Sequence, residues 1–311
     1  MIVPFNDLFR NIPDVTEVVN SGNYLNGPYL EKFEKAFAEY LGVEDFVGVG
    51  SGFDALQIAI QLADKDELII PPNVGMYATQ AALRCGVSVV MKDVGKNLLL
   101  PYQERPAIVT HLYGMIAESN IIEDCSHLHA RYTPKGIGVY SFYPTKNLGC
   151  IGNGGGLALK DGSKARMLRQ YGWSKKYHSD MLGIHSQLDE INAYVLLERL
   201  KTLDEKNERR RQIRNYYREQ SSISFVGGDY IPHLCVVMSH DRQALREKLK
   251  NKGISTEIHY PIPDYKQKII NKDLNMPNTE YACNHILSIP CFPEMTDTEV
   301  EYVANSLKDV Y

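Results

Sequence analysis

The sequence predicts an α/β protein in which a larger unit on a mainly parallel sheet is followed by a smaller α+β unit. Three observations lead there. Short apolar, β-branched runs alternate with helical periodicity through the first half, the pattern of βαβ units. An acid and a lysine, Asp124 and Lys146, each fall just past the end of a strand-like run. After a long, charged helical stretch the chain returns to short strand and helix patterns. The 311 residues suffice for a sizeable core and exceed the usual single compact unit. The expected division is residues 1–205 and 206–311, joined by one long helix at about 188–218.

Composition narrows the function class. Hydrophobic residues are 44% and charged residues 23%, the balance of an ordinary globular protein. A formal charge of −4 is no polyelectrolyte signature and argues against nucleic acid as a partner. Six cysteines form no CxxC pair and fit a reducing compartment. No basic n-region with an apolar run opens the chain, and no run approaches a membrane span, so the expected location is the cytoplasm, away from membranes.

In chain order, LEKFEKAFAEYLG from Leu30 spaces Leu30, Phe33, Phe37 and Leu41 as a helix ending at Gly42. Phe46 to Val49 is a strand. Gly50-Ser51-Gly52 then opens a helix to Ala63, and the free amides and dipole of such a turn suit an anion. Glu67–Ile70, Val87–Val90 and Pro106–Leu112 read as strands, with a helix from Met76 to Cys85. Asn120-Ile121-Ile122 is a buried strand delivering Glu123 and Asp124. Val139 to Tyr143 is another, stopped by Pro144, which has no amide hydrogen. Lys146 follows on a loop, and Gly152 with Gly154-Gly155-Gly156 offers backbone that turns sharply or approaches a ligand closely. Lys164–Tyr171 reads as a helix and Gly172 to Ser186 as loop. In the smaller unit Leu234–Met238 and Ser255–His259 are strand-like, around a helix from Arg242 to Lys252.

In open α/β sheets the strand carboxyl ends hold the ligand, so Asp124 and Lys146 are expected to face one small molecule. A lysine forms Schiff bases, and pyridoxal phosphate is the common cofactor that needs one. That cofactor also needs a carboxylate at its ring nitrogen and a cradle for its phosphate. Asp124, Lys146, Ser141 and the Gly50-Ser51-Gly52 turn supply these. Each has a bland alternative: a surface lysine, a turn aspartate, an ordinary tight turn. His127 and His129 lack a third ligand at metal spacing, so no metal is expected.

Ten segments in order, among them VGSGFDAL, EDCSHLHA, SFYPTKNLG, GNGGGLAL and GISTEIHYPIP, resemble the DegT/DnrJ/EryC1/StrS family of pyridoxal-phosphate sugar aminotransferases. The resemblance implies a fold-type-I homodimer with active sites shared between subunits. Glutamate would be the amino donor and a nucleotide-linked keto sugar the acceptor, in deoxyamino-sugar biosynthesis. YGWSKKYH with GISTEIHYPIP is most similar to enzymes acting on dTDP-3-keto-6-deoxyhexoses.

By that resemblance Lys146 is the Schiff-base lysine, Asp124 the ring-nitrogen partner and Ser141 a phosphate ligand. Ser51, Gly52 and the amide of Phe53 form the rest of the phosphate cradle, and His127 lies against the ring. His185 stands where relatives place an asparagine reaching the partner subunit's phosphate. His259 and Tyr260 fall in a motif near the sugar. Tyr177 and Trp173 suit either sugar contact or dimer packing, and His178 either surface or substrate. The chain departs from the pattern at Phe53 for threonine, Met76 for a ring-stacking aromatic, His185 for asparagine and Gln187 for arginine. It is also trimmed around Val94–Leu100, between Gly114 and Asn120, and between Lys135 and Val139. Those departures leave a second reading, a catalytically weakened sugar-binding or regulatory relative. The related sugar dehydratases carry histidine at the Schiff-base position, where this chain has Lys146.

Overall fold

A computed structural model describes residues 1–7 and 12–308. Residues 8–11 and 309–311, which belong to the opening segment and to the end of the expected smaller unit, lie outside them. In chain order the first elements are α1 (Thr16–Asn20), α2 (Pro28–Leu41), β1 (Asp45–Val49), α3 (Gly52–Ala63), β2 (Glu67–Ile70), α4 (Tyr77–Arg84) and β3 (Ser88–Met91). The sheet continues with β4 (Ile108–Thr110), β5 (Ile122–Asp124), β6 (Ile137–Ser141) and β7 (Gly155–Leu159). Next come α5 (Ser163–Leu168), the hairpin β8 (Trp173–Lys175) and β9 (His178–Ser179), α6 (Glu190–Leu200) and α7 (Leu203–Gln220). The chain closes with β10 (Ser224–Phe225), β11 (Cys235–Met238), α8 (Arg242–Asn251), α9 (Pro277–His285), β12 (Ile286–Ile289) and α10 (Asp297–Lys308).

The central sheet runs β1-β7-β6-β5-β4, and an isolated parallel bridge from Ala107 to Ile69 carries it on to the parallel pair β2-β3. β4, β5 and β6 pair in parallel, and β7 runs against both its neighbours. The expected mainly parallel α/β sheet is therefore present, with one reversed strand. The smaller sheet, β10-β11-β12, is antiparallel.

Packing explains the glycines of β7. A Cβ on Gly155 would stand 2.3 Å from the Ser51 carbonyl carbon, and one on Gly156 would stand 2.3 Å from the Phe46 ring. These glycines let β1 and the Ser51-Gly52 turn press onto β7, so the close approach that the sequence suggested is to protein. Phe33, Phe37, Phe46, Tyr140 and Phe142 stack edge to face beneath that region.

The expected single helix at about 188–218 is two. Lys201 and Thr202 donate their amides three residues back, to Glu198 and Arg199, and Thr202 leaves helical geometry at φ −117°. The break lets α6 lie on α2, while α7 turns to pack on α10. The expected strand at Ser255–His259 is reduced to one bridge, Glu257 to Ser288. Pro261 and Pro263 follow it, and the chain swings toward the central sheet instead of extending the small one. The segment Gly172–Ser186, expected as loop, holds the β8-β9 hairpin. No helix among the described residues is long and apolar enough to cross a membrane.

Candidate active site

Strand alternation separates the two acids at the end of β5. Glu123 is fully buried on one side, accepting from Tyr132 Oη at 2.6 Å and from the amides of Lys135 and Gly136 at 2.7 and 2.8 Å. Burial raises its pKa, but His111, Tyr132 and Gly136 outweigh that and hold it down to about 2. Asp124 faces the other way, into a cavity of about 640 Å³ at the carboxyl ends of β4, β5 and β6. Its Oδ1 accepts the Ser126 amide at 3.0 Å, and its Oδ2 has no partner among the described residues. Beside it on β4, in register with Asp124, the buried Thr110 hydroxyl is also without one.

Lys146 enters the same cavity from the loop after β6, its amide bonded to the Tyr143 carbonyl at 2.9 Å. Burial pulls its amine down to about 8, against the pull of the Asp124 carboxylate. Across from it, Ser51 caps α3: its hydroxyl accepts the Asp54 amide and donates to the Asp54 carboxylate. Ser51 is thus engaged in holding the turn. The amides of Gly52 and Phe53, with no acceptor among the described residues, remain to bind an anion. A Cβ on Gly52 would come within 2.6 Å of the Ser141 Cβ, so the helix start and Ser141 close on one spot. Ser186 ties this turn down, accepting from the Gly50 amide and donating to Asp54.

Asp124, His127, Ser141, Lys146, Ser51, Gly52, Phe53, His259 and Tyr260 therefore meet around one cavity, as the sequence expected. Met76 does not. It is buried with φ +70° at the start of α4, its amide held by the Asp264 carboxylate, and the next residue, Tyr77, lines the cavity in its place. An aromatic side chain therefore lines the cavity one position after Met76. His185 is exposed, stacked on Tyr171 at 4.9 Å, and lies off this cavity. Tyr177 and His178 sit on the exposed hairpin, also off it. Gln187 accepts from Asn26 at the surface.

The sequence reading missed His233, Asn6, Phe5 and Glu257, which complete the wall. Position just before a strand was the one signal available for His233. Three histidines face Lys146, and all are driven neutral. Burial first, then Lys146 and neighbouring histidines, pushes His127 well below its ordinary value, and burial with His127 and Lys146 does the same to His233. His259 falls to about 4 through burial and Lys146.

The arrangement suits pyridoxal phosphate: two free amides and a hydroxyl for a phosphate, an open carboxylate oxygen for a ring nitrogen, and in the same cavity an amine drawn down to about 8. A pairwise comparison finds the chain 31% identical over 345 residues to a dTDP-3-amino-3,4,6-trideoxy-α-D-glucose transaminase of Streptomyces venezuelae, covering 95% of this chain and 90% of that protein. It is 32% identical over 358 residues to a dTDP-3-amino-3,6-dideoxy-α-D-galactopyranose transaminase of Aneurinibacillus thermoaerophilus, covering 98% and 99%. Among solved structures, S. venezuelae DesV with a ketimine intermediate superposes with a TM-score of 0.90 at 30% identity, covering 95% and 92%. The family model of the DegT/DnrJ/EryC1/StrS aminotransferases matches residues 9–116 and 115–308. With that match along nearly its whole length, and with a lysine, an acid and an anion cradle around one cavity, the chain belongs to the DegT/DnrJ/EryC1/StrS aminotransferase family.

Proposed function

We propose that the protein moves an amino group from glutamate to a dTDP-linked keto-deoxy sugar, with pyridoxal phosphate held covalently at Lys146. The observation that carries this reading is the buried Lys146 amine, drawn down to about 8, sharing a cavity with the open Asp124 carboxylate. The two relatives named for dTDP-amino-sugar transamination support the substrate class.

Pyridoxal phosphate, when bound, supplies an electron sink that makes the substrate α-proton acidic. Asp124 Oδ2, open to the cavity, would accept the hydrogen of the ring nitrogen. The Gly52 and Phe53 amides and the Ser141 hydroxyl would hold the phosphate, and Tyr77 and His127 would offer surfaces to the ring. Lys146 Nζ would hold the cofactor and, once freed, would serve as the base that takes the substrate α-proton and as the acid that gives it back. An amine with a pKa near the working pH serves both directions of that transfer. Neutral His127, His233 and His259 present hydrogen-bonding atoms without adding charge beside Lys146.

His185, held at a sheet-like bridge to Gln170 beside the clamped Ser186, is proposed to serve the partner subunit's site in a homodimer. Tyr177, on the same exposed hairpin segment, is proposed to meet substrate there. We also take residues 1–205 as the cofactor unit and 206–311 as the smaller unit, with α7 crossing between them. A cytoplasmic location follows from such substrates.

Borohydride reduction of loaded protein should fix the cofactor on the peptide carrying Lys146, and glutamate should yield 2-oxoglutarate. The weakened, sugar-binding reading predicts bound nucleotide sugar with no 2-oxoglutarate. Retention of both Lys146 and Asp124 at the cavity favours the enzyme.

A further inference from the structure

Beside Lys146 runs a half-buried chain of amides whose orientation is fixed by its ends. Asn207 Nδ2 donates to the His129 carbonyl at 2.7 Å, which leaves Asn207 Oδ1 as an acceptor. Asn147, the residue after Lys146, donates its Nδ2 to that oxygen at 2.9 Å and toward the Pro232 carbonyl at 3.4 Å. A flipped Asn147 would set its oxygen against two oxygens, so Oδ1 must point the other way. It points to His233 Nδ1, 3.3 Å off. An oxygen there requires a proton on Nδ1.

His233 is 7% exposed and neutral, so a proton on Nδ1 leaves Nε2 with a bare lone pair. Nε2 has no partner among the described residues, yet it is not among the sealed, unpaired buried atoms, so it opens on the cavity that His233 lines. The neighbouring ring is the opposite case. His127, 4.4 Å away between centroids, accepts the Tyr113 amide on Nδ1 at 3.2 Å and therefore carries its proton on Nε2. The cavity wall beside Lys146 thus offers one histidine donor and one histidine acceptor.

We infer that His233 is a specificity-determining residue whose Nε2 accepts the hydrogen of a sugar hydroxyl on the carbon next to the one that reacts. This rests on the proposed function and names what the site reads. The other donors near it are accounted for or tested. The His127 Nε2 hydrogen makes no bond to it among the described residues, although the rings are 4.4 Å apart. The ring-nitrogen proton of the cofactor would face Asp124, and the Lys146 amine is separated from the substrate hydroxyls by the glutamate measurement below. A vicinal hydroxyl is the group that a keto sugar must bring within one bond of its reacting carbon. A site built to bond a hydroxyl rejects the analogue without it far more strongly than an apolar pocket rejects an added one.

The test uses two amino sugars that differ at carbon 4, dTDP-3-amino-3,6-dideoxy-α-D-galactose and dTDP-3-amino-3,4,6-trideoxy-α-D-glucose. Each is mixed in single turnover with cofactor-loaded protein. Wild type should favour the hydroxylated sugar by at least about tenfold. His233→Asn reaches Asn147 but leaves no acceptor at the Nε2 position, and its preference should fall to about one. His233→Gln restores an oxygen near Nε2 and should recover most of the preference. The preference is a ratio of the two sugars within one variant, so any slowing common to both sugars cancels. An unchanged preference in His233→Asn overturns the inference, and so does equal slowing of the glutamate half-reaction, which would make His233 a partner of Lys146. If wild type converts glutamate but neither sugar, the sugar class of the proposed function fails. The histidine assignment is then judged by 15N spectra of histidine-labelled, cofactor-free protein, with His233 identified by its loss in His233→Asn. A bare Nε2 is expected, and a protonated Nε2 overturns the assignment.

Discussion

Gly52→Ala tests whether the cofactor cradle is the closure between α3 and β6. The added methyl would lie 2.6 Å from the Ser141 Cβ, 3.0 Å from its Cα and 3.1 Å from its Oγ. Two of those atoms are fixed to the backbone of β6, so no rotamer change relieves the overlap. To reach ordinary contact at about 3.4 Å or more, the start of α3 must retreat from β6 by roughly 0.8 Å. Overpacking of this kind costs about 1–3 kcal/mol of stability. The greater effect falls on binding, because the retreat separates the Gly52 and Phe53 amides from the Ser141 hydroxyl. Hydrogen bonds to a charged group contribute about 1.5–3 kcal/mol each. Losing the alignment of one or two of them raises the cofactor Kd by roughly 10- to 20,000-fold, at about 1.4 kcal/mol per tenfold. Titration of apo protein with pyridoxal phosphate, followed by absorbance, measures this, and the melting temperature of the apo form gives the packing cost separately. A Gly52→Ala protein with wild-type affinity and wild-type Tm would refute the placement of the phosphate between these elements.

Other predictions follow from the same geometry. With its pKa drawn from 10.5 to about 8, Lys146 is roughly a quarter uncharged at pH 7.5, against about 0.1% for an ordinary lysine. The neutral amine is the nucleophile, so the rate of covalent cofactor loading should climb from pH 6 to about 8 and level off above. A climb continuing past pH 10 would contradict the burial. Tyr77→Ala should weaken cofactor binding several-fold in the same titration, while Met76→Leu should leave it unchanged. Equal effects would place Met76 back on the ring. Glu190 is fully buried and accepts the Gly27, Tyr29 and Leu30 amides at 3.0, 2.8 and 2.9 Å. Glu190→Gln turns an amide toward those donors and should cost about 2–3 kcal/mol, read as a fall in Tm of several degrees.

Where local chemistry decided position, the sequence was informative. Asp124 and Lys146 were legible because a strand of known direction delivers its last residues to one edge, and Pro144 marks where β6 must stop. Period-two alternation could also have told Glu123 from Asp124, since neighbours on a strand face opposite sides. Met76 was misplaced because the helix begins through a left-handed residue, φ +70°, and that turn rotates the next side chain into the cavity. No periodicity records such a turn. The break at Thr202 was hidden because both halves of the helix carry good helical composition, and only their different packing partners, α2 and α10, separate them. The glycines of β7 read as ligand contacts because sequence cannot distinguish approach to a ligand from approach to Phe46 and Ser51. His233 was invisible for a similar reason: its role depends on Asn147, 86 residues away.

The central claim is that Lys146 and Asp124 make this cavity a transamination site. One measurement bears on it most directly: cofactor-loaded wild type and Lys146→Ala are each mixed with excess glutamate in the absence of any acceptor, and 2-oxoglutarate is counted per subunit. The account predicts about one 2-oxoglutarate per wild-type subunit, with the cofactor converted to its amine form, and none from Lys146→Ala. Wild-type protein that holds the cofactor but releases no 2-oxoglutarate would contradict it.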